Sequence, residues 1–227
     1  MPDASPNPQL LRSLGRLARG LSALFWGLPA ALIVYAETAR AEVLRPMGVV
    51  PALVVNGLIL FGLWQMDDFQ KQERPWRKAL DRAKLVALVN FGLSPFLYMY
   101  SRQPQQPLFL ASVAVLFFSS LMFLFNLNVV LKQLGAMLPD ETLRQETRHF
   151  TSLNRWLIIG WLALAALVVV LPLRFDAGRF NPTFLYWLEH ARVTVQLVLG
   201  LAPLAITMAL IWKAKEVILD SVFCGRQ

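Results

Sequence analysis

The chain has 227 residues, of which 56 % are hydrophobic, a mean hydropathy of +0.50 and a formal charge of +8. An anionic cytoplasmic leaflet attracts juxtamembrane Lys and Arg, so the positive charge needs no nucleic acid as a partner. The single cysteine, Cys224, excludes an intramolecular disulfide and a cysteine-rich metal site.

The N-terminal part of the chain carries a helical leucine pattern. Leucines recur at three- and four-residue spacing over residues 10–28, and three arginines fall between them. This pattern predicts an amphipathic surface helix within residues 1–20, leading into a short first membrane span at 21–36. The same arginines, with Ala39-Arg40-Ala41 after the apolar run, also fit a secretory signal, but the run is long for a signal core.

Five further stretches are long and apolar, and their central portions contain no Asp, Glu, Lys, Arg or His. They are residues 47–66, 85–100, 107–131, 156–173 and 193–212. A run of about 20 apolar residues crosses the hydrocarbon core of a bilayer. We therefore predict an all-α, polytopic membrane protein with six transmembrane spans. A single transmembrane domain would cover residues 21–212, and a cytoplasmic tail would cover 213–227.

The distribution of basic residues predicts the orientation. With six spans, 16 of the 22 Lys and Arg fall on the side that holds both termini, and 6 fall on the other side. If residues 21–36 do not cross, the division is 13 against 9. The charges thus favour six spans over five, with both termini in the cytoplasm. The membrane predicted for this protein is the cell membrane of a bacterial-type cell, that is, its inner membrane.

Uncharged polar residues are the most informative feature inside the spans. They are Asn56 in the second span, Asn90 in the third, and Ser119, Ser120, Asn126 and Asn128 in the fourth. An unpaired amide in hydrocarbon is costly, so each should face protein or water. We expect Asn56, Asn90 and Ser119 within about one helical turn in depth. The sequence favours a latch of interhelical hydrogen bonds, and the alternative is the lining of a path or pocket for a neutral solute.

Prolines and small residues mark further positions in the spans. The prolines, predicted to break or bend four helices, are Pro29, Pro51, Pro95 and Pro203. Transporters use such breaks to expose backbone to a substrate, but helix packing also explains them. The pairs Gly27/Ala31 and Ala205/Ala209 would allow close approach of neighbouring helices.

Two inner connections carry many charges together with apolar side chains. Residues 67–84 contain ten charges in eighteen positions, and residues 140–153 have the pattern of a surface helix. These connections are predicted either to lie on the membrane or to dock a partner protein. The candidate docking residues are Trp76, Arg144, Arg148, His149 and Phe150.

No motif for catalysis or for a cofactor is found. His149 and His190 fall on opposite sides of the membrane in the six-span topology, so they would not hold one haem or metal together. The sequence has no nucleophile elbow, Gly-rich phosphate loop or His-Glu-x-x-His pattern. We expect a non-catalytic subunit or scaffold that contacts the lipid bilayer and other membrane subunits or further copies of itself. The alternatives are a transporter or channel for a neutral solute and, third, a membrane enzyme.

Overall fold

The computed structural model describes residues 8–40, 45–70, 72–137, 145, 147–160, 163 and 201–219. Within these ranges the regular structure is helical and no strand occurs, as predicted. The helices are α1 (Pro8–Arg40), α2 (Val50–Gln65), α3 (Arg74–Arg102), α4 (Pro107–Met137), α5 (147–160) and α6 (201–219), and a short 3₁₀ turn lies at Arg45–Met47.

Within the described ranges, three helical segments are long and apolar enough to cross a membrane. They are Arg12–Ala39, Arg74–Arg102 and Pro107–Met137. Helix α2 is apolar but has 16 residues, which span about 24 Å at the helical rise per residue. The predicted spans 156–173 and 193–212 lie largely outside the described residues.

Helix α1 covers both segments predicted for this region, but its leucines have a different environment from the one predicted. It is one continuous helix that includes both the expected surface segment and the expected first span. Leu17, Leu21 and Leu24 are fully buried in the core, so this leucine stripe contacts protein and not a membrane surface. The periodicity of an amphipathic helix is the same whether its apolar face meets lipid or other helices, and here the other helices cover it.

Two glycines bring α1 and α2 into backbone contact. A Cβ atom at Gly20 would lie 2.6 Å from the carbonyl oxygen of Gly62, and one at Gly62 would lie 2.9 Å from the carbonyl oxygen of Gly20. No side chain fits at either position without moving a helix. The crossing of α1 and α2 therefore depends on both glycines.

The start of α1 and the connection between α2 and α3 lie together at one end of the bundle, here called the charged end. Fully buried side chains from five helices belong to one core cluster: Leu17, Leu63, Leu80, Leu131 and Ile211. Ion pairs join Arg16 to Asp68 and, at 2.6 Å, Lys84 Nζ to Asp67 Oδ1. The start of α1 and the connection between α2 and α3 are thus held together.

The outside of the bundle is apolar. On α2, Val54 is 63 % exposed and Trp64 is 60 % exposed, whereas Val55 and Ile59 are buried. A helix that is apolar on both its buried and its exposed faces is typical of a membrane environment. The exposed side chains of α2 therefore have the character expected of lipid contacts.

Candidate functional site

A buried hydrogen-bond network joins α4, α5 and α6. The Thr207 hydroxyl donates to the carbonyl oxygen of Pro203 at 2.7 Å. It accepts hydrogen bonds from Asn128 Nδ2 at 3.0 Å and from Asn154 Nδ2 at 3.1 Å. All three side chains are almost completely buried. We call Asn128, Asn154, Thr207 and the Pro203 carbonyl the amide network.

Local helix chemistry positions the members of the amide network. Thr207 follows Pro203 by one helical turn, and Thr commonly bonds back to a carbonyl at this spacing. Asn128 Nδ2 also donates to the Leu124 carbonyl on its own helix, at 2.7 Å. Asn154 Nδ2 makes a second, longer contact of 3.3 Å with the Pro203 carbonyl. Each amide is therefore held in one orientation by two acceptors.

Two oxygen atoms of the amide network accept no hydrogen bond from the described residues. Asn128 Oδ1 and Asn154 Oδ1 are buried and have no hydrogen-bond partner in the described part of the chain. The network contains no ionisable side chain, so it holds no acid or base that could activate the Thr207 hydroxyl. Its chemistry is limited to hydrogen bonding between helices or to a small neutral donor.

Asn56 takes part in a separate contact with α1. The Tyr35 hydroxyl donates to Asn56 Oδ1 at 3.0 Å, and Asn56 Nδ2 lies 2.6 Å from the same hydroxyl. Asn56 Nδ2 also donates to the Ala52 carbonyl at 2.8 Å. Asn56 therefore bonds across helices, but to Tyr35 and not to Asn90. Asn90 is buried on α3, and its Oδ1 has no partner in the described residues.

The other predicted polar residues do not join these contacts. Ser120 Oγ donates to the Leu116 carbonyl at 2.8 Å, and Asn126 Nδ2 donates to the Met122 carbonyl at 2.8 Å. Ser119 lines a groove on the side of the bundle. The six predicted polar positions are thus distributed over several sites.

The prolines do not interrupt the described helices. Pro29 and Pro95 lie inside the continuous helices α1 and α3, and Pro51 occupies the first turn of α2, where a missing N–H costs little. Pro95 frees the carbonyl of Phe91, four residues earlier, and Ser94 Oγ donates to that oxygen at 2.9 Å. Pro203 belongs to α6 and supplies the carbonyl of the amide network.

Four of the five candidate docking residues lie in the described part of the chain, and they differ in exposure. Trp76 is fully buried and packs edge-on against Phe69, with ring centroids 5.9 Å apart, so it is not a surface contact. Arg148, His149 and Phe150 are exposed on α5. Arg144 lies outside the described residues.

Two apolar grooves open on the sides of the bundle. The first, the α3–α4–α5 groove, has a volume of about 610 Å³ and is lined mostly by aliphatic and aromatic side chains, with Ser119 and Arg155. The second, the α1–α6 groove, has a volume of about 530 Å³ and lies along Phe25, Ala205 and Trp212, and the charged residues Lys213 and Glu216 also line it. Ala209 also lines it, so the small-residue pair predicted on α6 borders an open groove.

Sequence reasoning missed three residues that make interhelical hydrogen bonds. They are Tyr35, Asn154 and Thr207, none of which is among the polar positions predicted from the sequence. The available signal was a Thr or Tyr hydroxyl inside an apolar run, which needs a partner when buried. In the described residues, no group of three or more His, Cys, Asp or Glu side chains is arranged to hold a metal.

Comparison of the chain with protein-family models, with curated proteins and with solved structures gives no match.

Proposed function

We propose that this chain is a non-catalytic subunit or scaffold of a membrane protein complex. It would be an integral protein of a bacterial-type inner membrane, with six spans and both termini in the cytoplasm. The proposal rests on the hydrogen bonds that the buried polar side chains make. Asn56, Asn128 and Asn154 are hydrogen-bonded to other helices, while the open grooves are lined mostly by apolar side chains.

The ion pairs support the proposed topology. Arg16 near the start of α1 pairs with Asp68 in the connection between α2 and α3. Both segments belong to the side that the Lys and Arg distribution assigns to the cytoplasm. Arg148 and Lys215, in later parts of the chain, belong to the same predicted side.

The surfaces of the molecule support a role in assembly. Large apolar side chains are exposed along the helices, including Trp26, Trp64 and Trp212. The α1–α6 groove is bordered by the small residues Ala205 and Ala209, which allow close approach of another helix. Arg148, His149 and Phe150 provide an exposed polar and aromatic face at the charged end. These surfaces suit contacts with a membrane partner.

Gentle solubilisation from native membranes, followed by mass analysis of the intact particles, tests the proposal. The expected result is a particle that contains this chain and at least one different chain in fixed ratio. The variant Ala205→Phe fills the α1–α6 groove and should reduce the partner's recovery, whereas Leu201→Phe, an exposed position one turn away, should not. A lone monomer or homo-oligomer as the only species would contradict the subunit proposal.

A transporter for a neutral or weakly polar solute is the second candidate. The observation that favours it is a pair of buried oxygens, Asn128 Oδ1 and Asn154 Oδ1, that have no hydrogen-bond partner among the described residues. A solute or water molecule with hydrogen-bond donors would satisfy them. Solute flux into vesicles that is lost in Asn154→Leu would support this candidate over the scaffold.

A further inference from the structure

The α3–α4–α5 groove has the length and lining of a site for a lipid chain. Along α4 it extends from Val115 to Phe125, which is about 15 Å of helix. Its lining is apolar apart from Ser119 and Arg155. Val115, Phe118 and Met122 are each about half exposed, so the groove opens sideways, toward the position that lipid would occupy.

A single cation lies at one end of this groove. Arg155 lines the groove and is exposed, and it has no ion pair or hydrogen bond with any residue that the structure describes. Ile158 and Ile159 continue the groove on the same helix, away from the charged end. Arg148 precedes Arg155 by seven residues, so the two arginines lie on the same face of α5, two turns apart.

This arrangement determines the chemistry of the occupant. An apolar chain would cover the groove, and an anion beside it would neutralise Arg155. A transmembrane helix of a partner protein would cover the apolar lining, but it would need an acidic side chain at the depth of Arg155 to neutralise that residue. A phospholipid carries both parts in one molecule, and basic pockets between membrane helices near the cytoplasmic surface bind anionic headgroups.

We propose that the α3–α4–α5 groove binds one anionic phospholipid from the leaflet at the charged end. One acyl chain lies along Val115, Ser119 and Met122, and the phosphate accepts hydrogen bonds from the Arg155 guanidinium. Arg148 lies further toward the water, where it adds positive charge beside the headgroup. This inference does not depend on whether the chain is a subunit or a transporter.

Native mass spectrometry of the purified full chain in detergent tests the site. The protein is titrated with phosphatidylglycerol or with phosphatidylcholine of identical acyl chains. The expected result is one phosphatidylglycerol bound about fivefold more tightly than phosphatidylcholine, the preference that one basic residue near the surface provides. Arg155→Gln should remove most of this preference, and Arg148 should account for what remains. Arg77→Gln removes an exposed arginine at the charged end outside the groove, and it should retain the preference.

A second pair of variants tests the groove without changing any charge. Ser119→Phe fills the groove and should remove the tightly bound lipid, while Ser112→Phe on the same helix, outside the groove, should not. Equal binding of the two lipids by the unmodified chain would overturn the proposal. So would a loss of preference that is the same in Arg77→Gln and Arg155→Gln, or tight binding that persists in Ser119→Phe. Cross-linking of position 119 to a partner chain, with no lipid retained, would also overturn it.

Discussion

The Tyr35 hydroxyl donates a hydrogen bond to Asn56 Oδ1 at 3.0 Å and so joins the C-terminal part of α1 to the middle of α2. Tyr35→Phe removes this bond and leaves a buried amide without its partner on the other helix. The free energy of unfolding should fall by about 0.6 kcal/mol, the average measured for interhelical hydrogen bonds in membranes, and by no more than about 1.7 kcal/mol, the largest value measured. Chemical unfolding in detergent measures it. Tyr100→Phe is the control, since the Tyr100 hydroxyl makes no hydrogen bond within the described residues, and an equal loss in both variants would contradict the assignment.

The contact between Gly20 and Gly62 predicts a sharp difference between two glycines of α1. Gly20→Ala places a methyl group against the Gly62 carbonyl and should destabilise the protein by roughly 1–3 kcal/mol, as overpacking does. At Gly15 a Cβ atom meets nothing within 4 Å. Gly15→Ala should therefore be neutral or stabilising by up to about 1 kcal/mol. Unfolding of the two variants under identical conditions compares them, and equal stability would refute the close approach.

Ser94 and Pro95 should be coupled through the Phe91 carbonyl. Ser94→Ala removes the donor to this oxygen and should cost about 1 kcal/mol of unfolding free energy. In a Pro95→Ala background the backbone N–H at position 95 supplies the missing bond, so the cost should approach zero. Ser112→Ala is the control, because Ser112 Oγ bonds to the Leu108 carbonyl with no proline involved. The same loss at Ser94 in both backgrounds would show that the proline is irrelevant.

The proposed topology predicts which single cysteines react with an impermeant reagent. In a Cys224→Ser background, Gln106→Cys should be labelled from outside the cell. Gln72→Cys and Gln145→Cys should be labelled only after the membrane is opened. All three positions are exposed, so accessibility within the protein does not limit the reaction. External labelling of Gln72→Cys would contradict the orientation.

Much of the described fold follows from the sequence, because uninterrupted apolar runs without charges restrict the chain to helices in a membrane. The all-helical architecture and the long apolar helices of residues 12–39, 74–102 and 107–137 have this origin. The burial of the leucine stripe of α1 in the protein core does not follow from the sequence. A leucine stripe with arginines between its members fits a lipid surface and a protein core equally well, and only the position of α2 decides between them.

The candidate site was predictable only in its residue types. Buried Asn side chains were expected to find partners, and Asn56 and Asn128 do. Their partners, Tyr35 and Thr207, depend on helix rotation and on contacts between distant segments, which one sequence does not specify. Trp76 illustrates the same limit, because a tryptophan among charges suggests a surface contact until a neighbouring turn places Phe69 over it.

A double-mutant cycle at Asn154 and Thr207 tests most directly whether the buried amides hold helices together. Asn154 Nδ2 and Thr207 Oγ1 lie 3.1 Å apart on α5 and α6. Asn154→Leu and Thr207→Val should each lower the unfolding free energy by at least the average of about 0.6 kcal/mol that one interhelical hydrogen bond contributes in a membrane. The double variant should lose less than the sum of the two, with a coupling above about 0.5 kcal/mol. Nearly neutral single variants that add to within about 0.3 kcal/mol would mean that the amides line a solvated path, and would contradict the account.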